Sequence, residues 1–166
     1  MSKKPAAGET ARKILWLVLT AALLAAVINL VHPKRIPWVE NWGSRVEAQA
    51  VIEQMPLVQL SDMLNFLRTG SRLFVDSRSA EEYARAHLPG AVSLPFQTLE
   101  KYPAAVAQIL ASGKPPVFYC TGSECDDSLL LALHLRKLGC KDVSVFIGGM
   151  NLWQSELLST EGEAVQ

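Results

Sequence analysis

The chain has 166 residues, room for one domain of ordinary size and an appendage. It carries 16 Lys/Arg against 16 Asp/Glu, so bulk charge gives no reason to expect a nucleic-acid partner. Three cysteines are too few for a disulfide framework, and Cys120-x4-Cys125 with scattered His32, His87 and His134 is not a zinc spacing, so neither metal nor cofactor is expected.

Charge is unevenly spread. Residues 1–53 hold seven Lys/Arg against four acids, and residues 54–166 hold nine against twelve. Residues 1–13 read as a basic tail. Residues 14–31, ILWLVLTAALLAAVINLV, contain no charge, with Thr20 and Asn29 the polar exceptions. At ~1.5 Å per residue a helix of this length reaches ~27 Å, enough for a hydrocarbon core. A core helix so uniformly apolar needs a larger protein around it. A cleaved leader needs a small-x-small site, and here NLVHPKR follows. One uncleaved, single-pass transmembrane helix in contact with lipid is therefore expected. Lys3, Lys4, Arg12 and Lys13 before it and Lys34 and Arg35 after it favour a cytoplasmic N-terminus. The rest of the chain is then periplasmic or otherwise extracytoplasmic. Trp16, Trp38 and Trp42 stand where interfacial anchors would.

Residues 32–56 read as a juxtamembrane connector, with a short helix from Arg45 to Gln54. From Leu57 the pattern alternates strand and helix. LVQL is a short strand, and Ser61 is the expected N-cap of a helix ending before Gly70. RLFVDS is a strand to Asp76, and Ser79 with Glu82 has capping-box spacing for the next helix. AVSLP is a strand stopped by Pro95, and YPAAVAQILAS is a helix. PVFYC, continuously apolar, is a buried strand. DDSLLLALHLRKLG is a helix with acids first and bases last. VSVFIGG closes the sheet and MNLWQSELL is the last helix. Such alternation over residues 57–158 gives an α/β fold, a parallel sheet of about five short strands with helices on both faces. Residues 159–166 are a C-terminal tail.

Ligands of such sheets bind beyond the strand C-termini, where Cys120 falls. The loop Thr121, Gly122, Ser123, Glu124 contains the one glycine needed to turn backbone N–H groups inward as an anion nest. That nest and the following helix N-terminus favour a thiolate, whereas Glu124, Asp126 and Asp127 oppose it. The residue-level alternative is an inert cysteine ending a core strand.

LFVDSRSAEEYARAHLPGAVSLP resembles the first signature of rhodanese-type sulfurtransferases, carried by Asp76, Arg78, Glu82, Tyr83, His87, Gly90, Ala91, Leu94 and Pro95. VFYC with its glycine-containing loop is similar to the family's active-site strand and loop. LGCKDVSVFIGGMNLW is similar to its tail, with Gly148, Gly149 and Trp153. The resemblance implies that Cys120 takes sulfane sulfur from a small donor, carries it as a persulfide and passes it to a thiol acceptor. The loop amides would hold the outer sulfur.

The loop departs from the family where a cation is usual. Position 125 is Cys and position 126 is Asp, which disfavours thiosulfate and excludes the Cys-x5-Arg phosphate chemistry of related enzymes. Cys125 is then an assisting or resolving thiol. The loop CTGSECDDS is similar to those of membrane-anchored rhodanese-like proteins. Two other readings stay open: a thiol–disulfide redox protein with a partner protein, and a non-catalytic tethered binding module. Supporting roles fall to Asp76, Arg78 and Ser128. Arg78 and Glu82 read as a structural i,i+4 ion pair, His87 as a turn residue, and His134, Cys140 and Trp153 as packing.

Overall fold

A computed structural model describes residues 7–31 and 42–163. The chain divides into two compact units, Met1–Glu40 and Asn41–Gln166. The first is helix α1, Ala7–Val31. Between Gly8 and Val31 it is long and apolar enough to cross a membrane, and its apolar window has no buried residue. The Thr20 hydroxyl donates to the Trp16 carbonyl at 2.9 Å, so this polar side chain is satisfied within its own helix. Trp38, Lys34 and Arg35 lie outside the described residues.

The second unit opens with α2, Trp42–Ile52, followed by α3, Leu60–Thr69. Then come β1, Leu73–Asp76; α4, Ala80–Arg85; and β2, Val92–Ser93. A 3₁₀ helix, Phe96–Lys101, leads into α5, Pro103–Ala111, with Pro103 in the first turn where a missing N–H costs nothing. The chain ends with β3, Pro116–Tyr119; α6, Asp127–Lys137; β4, Ser144–Phe146; and α7, Gly149–Ser155.

The four described strands form one parallel sheet in the order β2-β1-β3-β4. This is an α/β fold, with four strands where about five were expected. LVQL contributes a single parallel bridge, Leu57 to Val145. Val58 N–H donates to Val145 O and Val145 N–H to Pro56 O, after which the chain turns into α3. Proline has no N–H to extend the ladder, and Gln59, not Ser61, stands at the helix N-cap.

Side chains of a strand alternate between faces, and this splits the core in two. Val75, Phe118 and Val145 face α2, α5 and α6, packing with Val46, Ala50, Ile109, Leu129 and Leu135. Phe74, Val117, Tyr119 and Phe146 face α3 and α7, packing with Met63, Met150 and Trp153. Paired residues Val75, Phe118 and Val145 share a face because register fixes parity. Helices thus cover both faces. Val46 and Ala50, within the stretch read as a connector, are buried in the first core.

Residues past α7 fold back on α4. His87 and Glu161 exchange backbone hydrogen bonds of 2.8 and 2.9 Å, and Glu163 N–H donates to Ala84 O at 2.7 Å. Trp153 is fully buried, with Nε1–H donating to Ser159 O at 2.9 Å. The His87 ring stacks on Tyr83 and its Nδ1 lies 2.7 Å from Tyr83 O, a hydrogen-bonded turn as expected.

Candidate active site

Strand order reverses between β1 and β3, and a crevice opens there beyond their C-terminal ends. β3 is buried along its whole length and delivers Cys120 to that point. The Cys120 side is closed: the residue is 3% exposed, and its sulfur is bonded to that of Cys125. Their Cα atoms are 6.2 Å apart, within the span a disulfide bridges. A turn makes this approach possible. Cys125 N–H donates to Gly122 O at 3.1 Å, folding the loop back on itself.

The loop is held from below by α7. Met150 N–H donates to Cys120 O at 2.9 Å, and Asn151 N–H to Thr121 O at 2.8 Å. These contacts satisfy two helix N-terminal donors and turn the loop carbonyls toward α7. The amides of Thr121, Gly122, Ser123 and Glu124 have no protein partner among the described residues, leaving donors for an anion. Gly149 makes the approach possible. Its φ is +57°, and a Cβ there would strike Cys120 O and come within 2.9 Å of Gly122 N.

The β1 end supplies a fixed charge pair. Arg78 and Asp76 are 7% and 0% exposed and meet at 2.6 Å (Nη2 to Oδ2). Arg78 Nε–H donates to Oδ1 at 3.0 Å and Nη2–H to Ala86 O at 2.7 Å. Burial works against the guanidinium charge, and Asp76 more than offsets it, holding the Arg78 pKa above its ordinary value. The expected Arg78–Glu82 pair is replaced by this one. Glu82 Oε2 instead accepts from the Ser79 N–H at 3.2 Å and hydroxyl at 2.9 Å, completing the capping box of α4. An N-cap demand on Glu82 competes with the i,i+4 pairing, and Asp76 lies closer to Arg78 in a buried fork. Tyr119, beside Cys120 in sequence, is held neutral: burial and then Asp76 push its phenol well up, and its oxygen accepts from Leu88 N–H at 3.1 Å.

A cavity of about 360 Å³ lies over the disulfide, lined by Arg78, Glu82, Gln97, Lys101, Cys125 and Asp127 among others. Cys125 is half-buried and Ser128 is 2% exposed, at the start of α6. A carboxylate oxygen of Asp127 lies within 4.8 Å of both sulfurs. Gln97 Nε2–H donates to Asp127 Oδ1 at 2.7 Å. Burial raises the Asp127 pKa; the Gln97 hydrogen bond opposes this, and Asp126 and Glu82 add to it. Ser123 and Glu124 are exposed on the outer side of the loop, with Asn151 beside them. Asp126 is exposed and lines a separate hollow with Arg45, Val46 and Leu129.

Residues 59–156 match the family model described as the rhodanese-like domain. The chain belongs to the rhodanese-like domain family. It is 37% identical over 91 residues to a tRNA sulfurtransferase of Desulfurococcus amylolyticus, an overlap of 55% of this chain but 17% of that relative. Among solved structures it resembles the BH2092 protein of Bacillus halodurans, at 26% identity and a TM-score of 0.58, covering 72% of this chain and 85% of that one. A human single-domain sulfurtransferase, TSTD1, is 30% identical with a TM-score of 0.50, covering 61% of this chain and 96% of that one.

Within this rhodanese-like domain the residues singled out in the sequence fall in three places. Cys120, Thr121 and Cys125, with Arg78, meet at the cavity. Asp76 and Ser128 are buried behind it. Ser123, Glu124 and Asp126 lie on the outer side of the loop. Three contributors escaped sequence reasoning in these roles. In the sequence Asp127 is one of several acids that oppose the thiolate, because helix phase decides which of Asp126 and Asp127 turns to the sulfurs. Gln97 sits on a 3₁₀ helix that carries no periodic signal. Gly149 and the α7 amides carry a usable sequence signal, a Gly-Gly pair between a strand and a helix.

Proposed function

We propose that this rhodanese-like domain is a membrane-anchored thiol–disulfide redox module whose Cys120 and Cys125 cycle between dithiol and disulfide. The observation that carries the reading is the bond between the two sulfurs at the mouth of the crevice. Its partners are thiols, presented by a small molecule or by a partner protein. The amides of Thr121, Gly122, Ser123 and Glu124 hold the charge that develops on a departing sulfur. Asp76 and Arg78 brace the β1 end of the crevice, and Ser128 is buried in the first turn of α6. Residues 14–31 anchor the chain in lipid, with the basic tail 1–13 cytoplasmic and the domain in an oxidising compartment outside it, where such a pair persists oxidised.

Family membership and relatives named as sulfurtransferases favour a second reading on the same residues. The Cys120 thiolate attacks the outer sulfur of a small sulfane-sulfur donor, breaking the donor's S–S bond, releasing the rest of the donor as an anion and leaving a persulfide on Cys120. The Cys125 thiolate then attacks the Cys120 sulfur, forms the S–S bond seen here and expels sulfide as HS⁻. Loop peptides isolated from cells without reductant separate these readings. A disulfide about 2 Da below the dithiol fits either, so the deciding peptide is that of Cys125→Ser, which cannot resolve a persulfide: sulfur carriage predicts a stable gain of about 32 Da on Cys120, and the redox reading predicts none. Two free thiols under all conditions would leave the tethered binding module.

A further inference from the structure

We propose that Asp127 is the proton-transfer residue of the Cys120–Cys125 pair, taking the proton of an incoming thiol and handing it to the departing sulfur. This rests on the redox reading above. Asp127 is the carboxyl within 4.8 Å of both sulfurs, a reach that one bridging water or a small side-chain rotation closes. Its carboxylate faces the cavity through which a thiol must enter. Gln97 donates to one oxygen and so fixes the group in place.

The two sulfurs differ in access, and this orders the chemistry. Cys125 is half-buried, whereas Cys120 is 3% exposed. A thiol R–SH entering the cavity therefore meets Cys125 first. Asp127 removes its proton, and the sulfur attacks Cys125 Sγ. The S–S bond breaks, with its electron pair leaving on Cys120 Sγ beside the unpartnered loop amides. Asp127 returns the proton there, giving Cys120–SH and a Cys125–S–S–R mixed disulfide. A second thiol R′–SH attacks the R sulfur in the same way, releasing R–S–S–R′ and leaving Cys125–SH. Two thiols are oxidised and one disulfide is reduced, with protons conserved.

The surrounding charges set the pH range. Asp126 precedes Asp127 as the N-cap of the same helix, Glu82 of α4 acts on it across the cavity, and Glu81 lines the same cavity. Arg78 is turned to Asp76, and Lys101 of the 3₁₀ helix supplies a cation on the far wall. Burial and the acids raise the carboxyl, which suits a group that must both accept and release a proton.

The test is the rate at which 2-mercaptoethanol reduces the disulfide of the full-length protein, followed against pH. Asp127→Asn keeps the oxygen that Gln97 contacts. It should lower the rate near neutral pH by about 10²-fold, and only preformed thiolate should react, so the rate climbs about tenfold per pH unit. The wild-type rate should be much flatter between the raised Asp127 pKa and that of the reductant, and the two should converge at higher pH. Asp127→Glu should restore part of the flat region, and circular dichroism verifies that each variant is folded. Equal rates and equal pH slopes for wild type and Asp127→Asn would overturn the assignment while leaving the redox reading intact. A wild-type loop that never re-forms its disulfide after reduction would overturn the redox reading itself.

Discussion

At the scale of single residues, Gly149 has the least freedom to change. Its positive φ and its closeness to the Cys120 and Gly122 backbone leave no room for a methyl group, and the obstructing atoms are main chain. Gly149→Ala should cost about 1–3 kcal/mol and slow closure of the disulfide under a mild oxidant, both read from urea midpoints and thiol-loss kinetics. The Asp76–Arg78 fork is the second sensitive point. Arg78→Met leaves a buried carboxylate uncompensated and should cost about 3–5 kcal/mol in the same denaturation measurement. Asp127 points the other way. Its folded pKa lies above its unfolded value, so the folded state holds the proton more tightly. Stability then falls as pH rises from the unfolded value through the folded one, and the penalty is complete only above the folded one. Asp127→Asn should raise the urea midpoint at pH 7, with the gain vanishing below the unfolded carboxylate range. Among these residues, Asp76 and Arg78 were legible as a motif, but their pairing was not. Sequence distance favours the i,i+4 partner Glu82, and only the fold shows that the Ser79 cap claims it.

Elements were more legible than contacts. Continuous apolar runs gave β1 and β3, the Ser79/Glu82 spacing gave α4, and the acid-first, base-last pattern gave α6. Five residues with one glycine can fold back on themselves, but the sequence leaves open whether Cys120 and Cys125 are bonded; the structure brings their Cα atoms to 6.2 Å with the sulfurs joined. The missing fifth strand has a local cause, a proline on one side and a helix start on the other. The helix near Arg45 was expected, but its burial was not. Val46 and Ala50 are four residues apart and share a face, a signal too short to distinguish from a solvated connector. Ala50 is fully buried, so Ala50→Asp should destabilise the domain by about 3 kcal/mol, whereas Gln49→Asp on the exposed side should have little effect. Thermal or urea unfolding of the two variants checks this.

For the whole molecule, the two units divide the labour proposed here between location and chemistry. α1 is long and apolar enough for a bilayer, and the unit that follows carries every cysteine. On the topology proposed above, the basic residues before the apolar span 14–31 stay cytoplasmic and the Cys120–Cys125 pair lies in an oxidising compartment. The full-length chain should therefore stay in the membrane pellet after alkaline carbonate, and protease added outside intact spheroplasts should reach the domain.

The central claim, that Cys120 and Cys125 form a working redox couple, is tested most directly by equilibrating the full-length protein in a series of thiol/disulfide buffers. The oxidised fraction is read from the mass of the trapped loop peptide. The account predicts one reversible transition with a two-electron slope, about 30 mV per tenfold change, lost in Cys125→Ser. A pair that stays fully reduced or fully oxidised across the series, with no midpoint, would contradict it.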